Sequence, residues 1–141
     1  MSGAISGARN PEGKKAKEHA RRYYGLVRSM KNDVIKIAKT TGIEEQEIKE
    51  VKDYIFISKH ELEGGYNRFE PDYMMAESWQ RLIEGRPETH DVTMIKHELL
   101  EMKMVKQGKS QKDAHILASK EYNYSKEAIE YYGRVKKYKK D

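Results

Sequence analysis

The segment from Asp91 to Lys120 constrains the fold most. Val92, Ile95, Leu99 and Met102 recur at three- and four-residue spacing, and Gly108 interrupts the pattern before Ser110-Gln111-Lys112-Asp113 restarts it. Such spacing is one face of a helix; Asp91 is a residue type that caps a helix start, and glycine closes one. The expectation is a helix over 92–107, a turn at Gly108–Lys109, and a second helix to about Lys120. The second opens with a capping box that has Asp in the usual Glu position. A turn this short makes a helix hairpin, and the rest of the chain has to cover its apolar faces.

The same signals divide the rest. Residues 1–13 are small, polar and broken by Gly and Pro, which reads as a flexible leader. A first helix is expected from Lys14 to Lys39, striped by Val27, Met30, Val34, Ile37 and Ala38. Gly25 is either a weak point within it or a close contact. Thr40-Thr41-Gly42 stops it, and a second helix runs from Glu44 to about Tyr54. Tyr54-Ile55-Phe56-Ile57 is the one β-like run, either a strand or the buried end of that helix. Glu63 to Asn67 reads as a turn. Pro71 suits the first position of a third helix, whose apolar face holds Met74, Met75, Trp79, Leu82 and Ile83, with Trp79 read as core. Gly85-Arg86-Pro87 ends it. Ser125 caps a final helix, Lys126–Lys137. The fold class is therefore mainly α, a compact bundle of five or six helices with at most one short β-run near residues 54–57. Residues 14–132 form a single α-rich domain, followed by a basic tail over 133–141.

The 141 residues include no cysteine, which excludes a disulfide scaffold, a cysteine-ligated zinc finger and a cysteine nucleophile. No apolar run approaches the roughly 18 residues of a membrane span, and no signal-peptide core follows the first residues. The net charge of +5 is clustered. Lys14, Lys15, Lys17, Arg21, Arg22 and Arg28 crowd one end; Arg134, Lys136, Lys137, Lys139 and Lys140 crowd the other. Both runs read either as solvated helix faces or as contacts to nucleic acid, with Arg134, Lys136 and Lys137 the candidates in the tail. Tyr122, Tyr124, Tyr131, Tyr132 and Tyr138 interleave with these lysines. That mixture suits single-stranded nucleic acid and an amphipathic docking helix equally.

Titratable groups concentrate between His90 and Glu101. On a helix, His97 and Glu101 stack at i, i+4, opposite the Val92–Met102 stripe, and His90 projects the same way if the helix reaches it. Met94, Leu100 and Met104 flank that side, so the helix is apolar on more than one face and reads as central. Counting outward from the turn sets Glu101 about 3 Å along the axis from His115, within reach of a side chain, but His97 about 9 Å from His115. A Glu101–His115 contact is thus expected, whereas His97 and His115 meet only through a tilted packing or a bridging group. Three readings stay open. The pair is a structural hydrogen bond; or His97, Glu101 and His115, with His90 or Asp91, do acid–base work; or the same set binds a divalent metal. His97-Glu98-Leu99-Leu100-Glu101 is H-E-x-x-E, not the H-E-x-x-H of zinc proteases.

Residues Ile37 to Val51 have helix-turn-helix spacing, yet the second helix opens Glu44-Glu45-Gln46-Glu47, which repels phosphates; an αα-corner is the plainer reading. Arg81 is either an anion-binding arginine facing the histidines or a solvated one. His60 lies either at a strand end beside an active site or in a loop.

The run Ile37 to Gly42, then Asp53 to His60, Ala76 to Leu82, His97-Glu98-Leu99-Leu100-Glu101 and Ala114-His115 resembles a domain at the C-terminal end of phage minor head (head morphogenesis) proteins. It also looks like effector domains at the C-terminus of polymorphic toxins, over about residues 14–132. The resemblance implies a toxin-type domain, frequently a nuclease, carried by a delivery module, in a bacterial host's cytoplasm or on a virion. It implies His60, Arg81, His97, Glu98, Glu101 and His115 as functional positions. Phosphodiester hydrolysis would use His97 or His115 as acid or base, Glu101 to orient an imidazole, and Arg81 or a terminal lysine to hold phosphate. The alternative is a non-enzymatic module that binds nucleic acid or a protein partner through its basic ends.

Overall fold

The computed structural model describes residues 13–136. Its elements in chain order are α1 (Lys14–Ser29), α2 (Asp33–Thr41), α3 (Glu45–Lys52), a π-turn (Asp53–Ile57), β1 (Lys59–Leu62), β2 (Gly65–Arg68), α4 (Tyr73–Glu84), α5 (Thr89–Lys106), α6 (Gln111–Glu121) and α7 (Tyr124–Lys136). The fold is mainly α, as the helical spacing requires. Among the described residues no helix is long and apolar enough to cross a membrane. The expected leader over 1–12 and the tail over 137–141 lie outside the described residues; α7 itself runs past the expected tail boundary at 132.

The expected first helix is two. Met30 leaves helical geometry, with ψ at 141°, and Lys52 explains why. Its ammonium donates to the Met30 carbonyl at 3.0 Å and to Asp33 Oδ1 at 2.9 Å, so the chain bends around one buried cation. Trp79 Nε1 donates to the other Asp33 oxygen at 3.2 Å. The exposed Gly25 makes no close contact. After α2, Gly42 takes a left-handed φ of 77°, and α3 follows as the αα-corner, with Glu44 to Glu47 facing solvent.

Residues 54–57 are not a strand. They are the buried end of the second helix, wound into a π-turn that the Ser58 N–H closes onto the Asp53 carbonyl at 2.7 Å. Tyr54, Ile55 and Phe56 are all buried, which an alternating strand cannot do with one wet face. The strands come next, pairing antiparallel from Lys59–Arg68 to Leu62–Gly65. Part of the expected turn, Gly65 to Asn67, is therefore β2.

Three caps differ from expectation. Asp72, not Pro71, precedes α4 and accepts from Met75 N at 3.0 Å. Asp91 lies inside α5 as the third residue and accepts from Glu88 N at 2.7 Å, so Glu88 is the cap. Asn123 Oδ1 takes the Lys126 N–H at 3.2 Å at the start of α7, where Ser125 was expected to cap. Ser110 caps α6 as expected, accepting from Asp113 N at 3.1 Å.

The core centres on Trp79, fully buried, with Phe56 edge-on at 5.1 Å and Tyr24 beyond it at 4.6 Å from Phe56. α5 packs against α6, α4, α7 and α3 and is the central helix. Breaking a buried ion pair from one side strands the other charge. Lys52→Met is expected to cost about 3–5 kcal/mol in urea unfolding. The Lys52→Met, Asp33→Asn double variant should recover part of that loss.

Candidate functional site

The site forms where α5, α6 and the π-turn meet. α5 presents His97 and Glu101 one turn apart, and α6 presents Gln111 and His115 one turn apart. The π-turn brings Tyr54 to the same point. Glu101 is the hub. Its Oε1 contacts His97 Nε2 at 3.2 Å and His115 Nδ1 at 3.0 Å. Its Oε2 accepts from the Tyr54 hydroxyl at 2.5 Å and from Gln111 Nε2 at 2.7 Å. Gln111 Nε2 also bonds the Tyr54 oxygen.

The expected Glu101–His115 contact is therefore present. The two imidazoles also meet, with ring centroids 5.0 Å apart, because Glu101 is itself the bridging group that the axial count required. The cluster is buried at one side and open at the other. His97 and Glu101 are each 3% exposed, while the His115 side chain is 58% exposed.

Burial pushes the Glu101 carboxyl up, but bonds from His97, Tyr54 and His115 outweigh it and hold the group below the usual carboxylate value. Burial likewise lowers His97, yet the Glu101 contact and the nearby Glu98 leave it raised. Tyr54 is raised, first by burial, and stays a hydrogen-bond donor. Glu98 is the counterexample. With desolvation and the Glu101 charge both against ionisation, its carboxyl is pushed up to about 8.

The remaining candidates fall elsewhere. His60 does not join the cluster. Its Nε2 bonds the Tyr54 carbonyl at 2.8 Å and its ring stacks on Phe69 at 4.0 Å, so it braces the segment that carries Tyr54. Arg81 is the correction of most consequence. Its guanidinium grips Asp91 at 2.7 and 2.9 Å and lies over the Tyr131 ring at 5.1 Å, near the opposite end of α5. That ion pair withdraws both Arg81 and Asp91 from the site. His90 sits there too, between Arg81 and the rings of Tyr124 and Tyr131. Arg134 is exposed on α7, and it lines a depression of about 180 Å³ with Glu88, His90, Glu127 and Glu130. Lys136 ends α7, and Lys137 lies outside the described residues.

Sequence reasoning missed Tyr54 and Gln111. Gln111 carried a signal, since it stands four residues before His115 on the same helix face. Tyr54 carried none, because a π-turn shifts the helical count. Compared with protein-family models, curated proteins and solved structures, the chain finds no match.

Glu98 generates a pH prediction. The folded chain keeps that proton to about 8, whereas the unfolded chain releases it near 4.5. Across that window the folded state holds the extra proton, so stability falls as pH rises. Glu98→Gln should therefore melt higher than the parent at pH 8.5 and level with it near pH 5, read by thermal unfolding at both.

Proposed function

We propose that this chain is a hydrolytic effector domain that cleaves phosphodiester bonds in nucleic acid at the Glu101 cluster. One observation carries the reading: a buried carboxylate, gripped on one oxygen by Tyr54 and Gln111, offers its other oxygen to two imidazoles, one of them open to solvent. Donors that saturate one oxygen and leave the other with histidines fit a group held for chemistry better than a plain hairpin staple. Water activated at this mouth would attack phosphorus. His115 would meet the substrate first, and Glu101 and His97 would fix its position.

Charge near the site supports the substrate class. From Met102 to Lys120 five lysines stand against the single acid Asp113. Lys103, Lys106, Lys109 and Lys112 are all exposed on the hairpin that carries the cluster. They take over the phosphate-holding role that Arg81 cannot fill, and a local positive field of this kind draws in polyanions. A delivered toxin of the phage minor head or polymorphic-toxin kind, as the sequence resemblance implies, is the setting in which such an enzyme would act.

A second reading has its own observation. Lys14, Lys15, Lys17, Arg21 and Arg22 are exposed along α1, a helix that supplies none of the cluster's side chains, which suits a module that binds nucleic acid or a protein partner without cutting. Incubation with labelled single-stranded RNA, single-stranded DNA and duplex DNA separates the two. Cleavage that falls at least about 100-fold in His115→Ala and Glu101→Gln is the expected outcome for an enzyme. Binding with no cleavage in the parent, or cleavage unchanged in both variants, sinks the hydrolytic reading.

A further inference from the structure

We propose that His97 Nε2, Glu101 Oε1 and His115 Nδ1 are the ligands of a divalent transition-metal ion of the zinc class. The proposal rests on reading the cluster as a hydrolytic site and names what activates the water there.

Distance is the first support. The three ligand atoms all lie within 4.8 Å of one another. Glu101 Oε1 is 3.2 Å from one nitrogen and 3.0 Å from the other. In a tetrahedral shell with bonds of about 2.0–2.1 Å, neighbouring ligand atoms sit about 3.3–3.4 Å apart. To reach that value the two Glu101 spacings open by a few tenths of an ångström, and the spacing between the two imidazole nitrogens, the long edge of the triangle at up to 4.8 Å, closes by rotation of the half-exposed His115 side chain.

Hydrogen-bond bookkeeping is the second support, and it is independent of the first. His97 Nδ1 lies 3.0 Å from the Tyr122 carbonyl oxygen. A carbonyl only accepts, so Nδ1 carries the hydrogen, and whenever the ring is neutral its Nε2 lone pair faces Glu101. Two acceptors then face each other at 3.2 Å, a repulsive contact unless a cation stands between them. A proton on Nε2 can fill that role for His97 alone. A metal ion fills it for His97 and His115 together. The outer partners match: a histidine ligand donating its other N–H to a backbone carbonyl, and a carboxylate ligand held on its far oxygen by Tyr54 and Gln111.

Donor chemistry selects the class of ion. Two imidazoles and one carboxylate suit zinc and its neighbours, whereas calcium and magnesium prefer oxygen shells. Three protein ligands leave a fourth position for water, the pattern of catalytic rather than structural zinc, and the exposed His115 marks the open side. An ion bound here would bring the pKa of its water to about 7. Attack by that oxygen forms a new P–O bond as the P–O bond to the leaving nucleoside breaks. The departing oxygen takes up a proton, so one water is consumed and no electrons are exchanged.

The test is direct binding to the full chain after chelator stripping, read by zinc competition against a chromophoric chelator and by cobalt(II) absorption. One equivalent of metal is expected, with the visible bands of four-coordinate cobalt. His115→Ala, whose half-exposed side chain makes misfolding a small concern, and Glu101→Gln should each weaken binding more than about 100-fold. Tyr54→Phe, which removes only an outer partner, should cost about 10–100-fold. Circular dichroism on every variant checks that the fold is kept. Absence of stoichiometric zinc binding, or binding unchanged in His115→Ala and Glu101→Gln, overturns the proposal. The two readings fail separately. Nucleic-acid cleavage by the stripped protein in excess chelator sinks the metal and leaves the hydrolase. The expected binding pattern with no cleavage keeps the metal and sinks the nucleic-acid substrate.

Discussion

α5 takes five ionisable side chains out of water, and each has to be answered. Asp91 is answered by Arg81 from α4, and His90 by Arg81 and a wall of tyrosine rings. His97 and Glu101 answer one another, with help from α6 and the π-turn. Glu98 alone resolves the problem by keeping its proton. These obligations fix the neighbours of the central helix more tightly than its apolar residues can, because an apolar contact tolerates sliding and a buried carboxylate does not.

The two ends of α5 solve the same problem with different consequences. At the N-terminal end, Arg81 spans Asp91 with two bonds and is largely covered, its side chain 14% exposed. Nothing there is left over. Toward the C-terminal end, the four polar contacts on Glu101 come from three separate elements, and one of them, His115, faces solvent. The first end is a pin. The second is a constellation with an open edge, and the functional reading belongs to that end alone. The Asp33–Lys52–Trp79 tie is another pin, joining the break between α1 and α2 to α3 and α4.

The α5–α6 hairpin was legible because it obeys short-range rules: helical spacing, a glycine stop, a serine cap and a countable rise per residue. Those rules sufficed to pair Glu101 with His115. They could not show that Glu101 would also gather His97 on the same oxygen, since axial counting treats a bridging side chain as a point. Arg81 was misplaced for a related reason. Its partner is ten residues away across a helix break, and nothing local distinguishes that guanidinium from a solvated one. The β-hairpin escaped notice because its strands are short and mostly exposed, so no alternation of burial shows in the sequence.

The π-turn at 53–57 serves two neighbours at once, the core and the site. Winding five residues into a wider turn lets Ile55 and Phe56 enter the core while the buried Tyr54 reaches Glu101 with its hydroxyl. A regular α-helix of the same sequence would advance each side chain by about 100°, more than the π-turn does, and so would aim Tyr54, Ile55 and Phe56 differently. The extra residue works as an angular spacer between scaffold and site. A shortening by one residue here would swing the phenol off its carboxylate and turn Ile55 and Phe56 out of register with Trp79 and Tyr24, so the length of this one turn ties the chemistry to the packing of the interior.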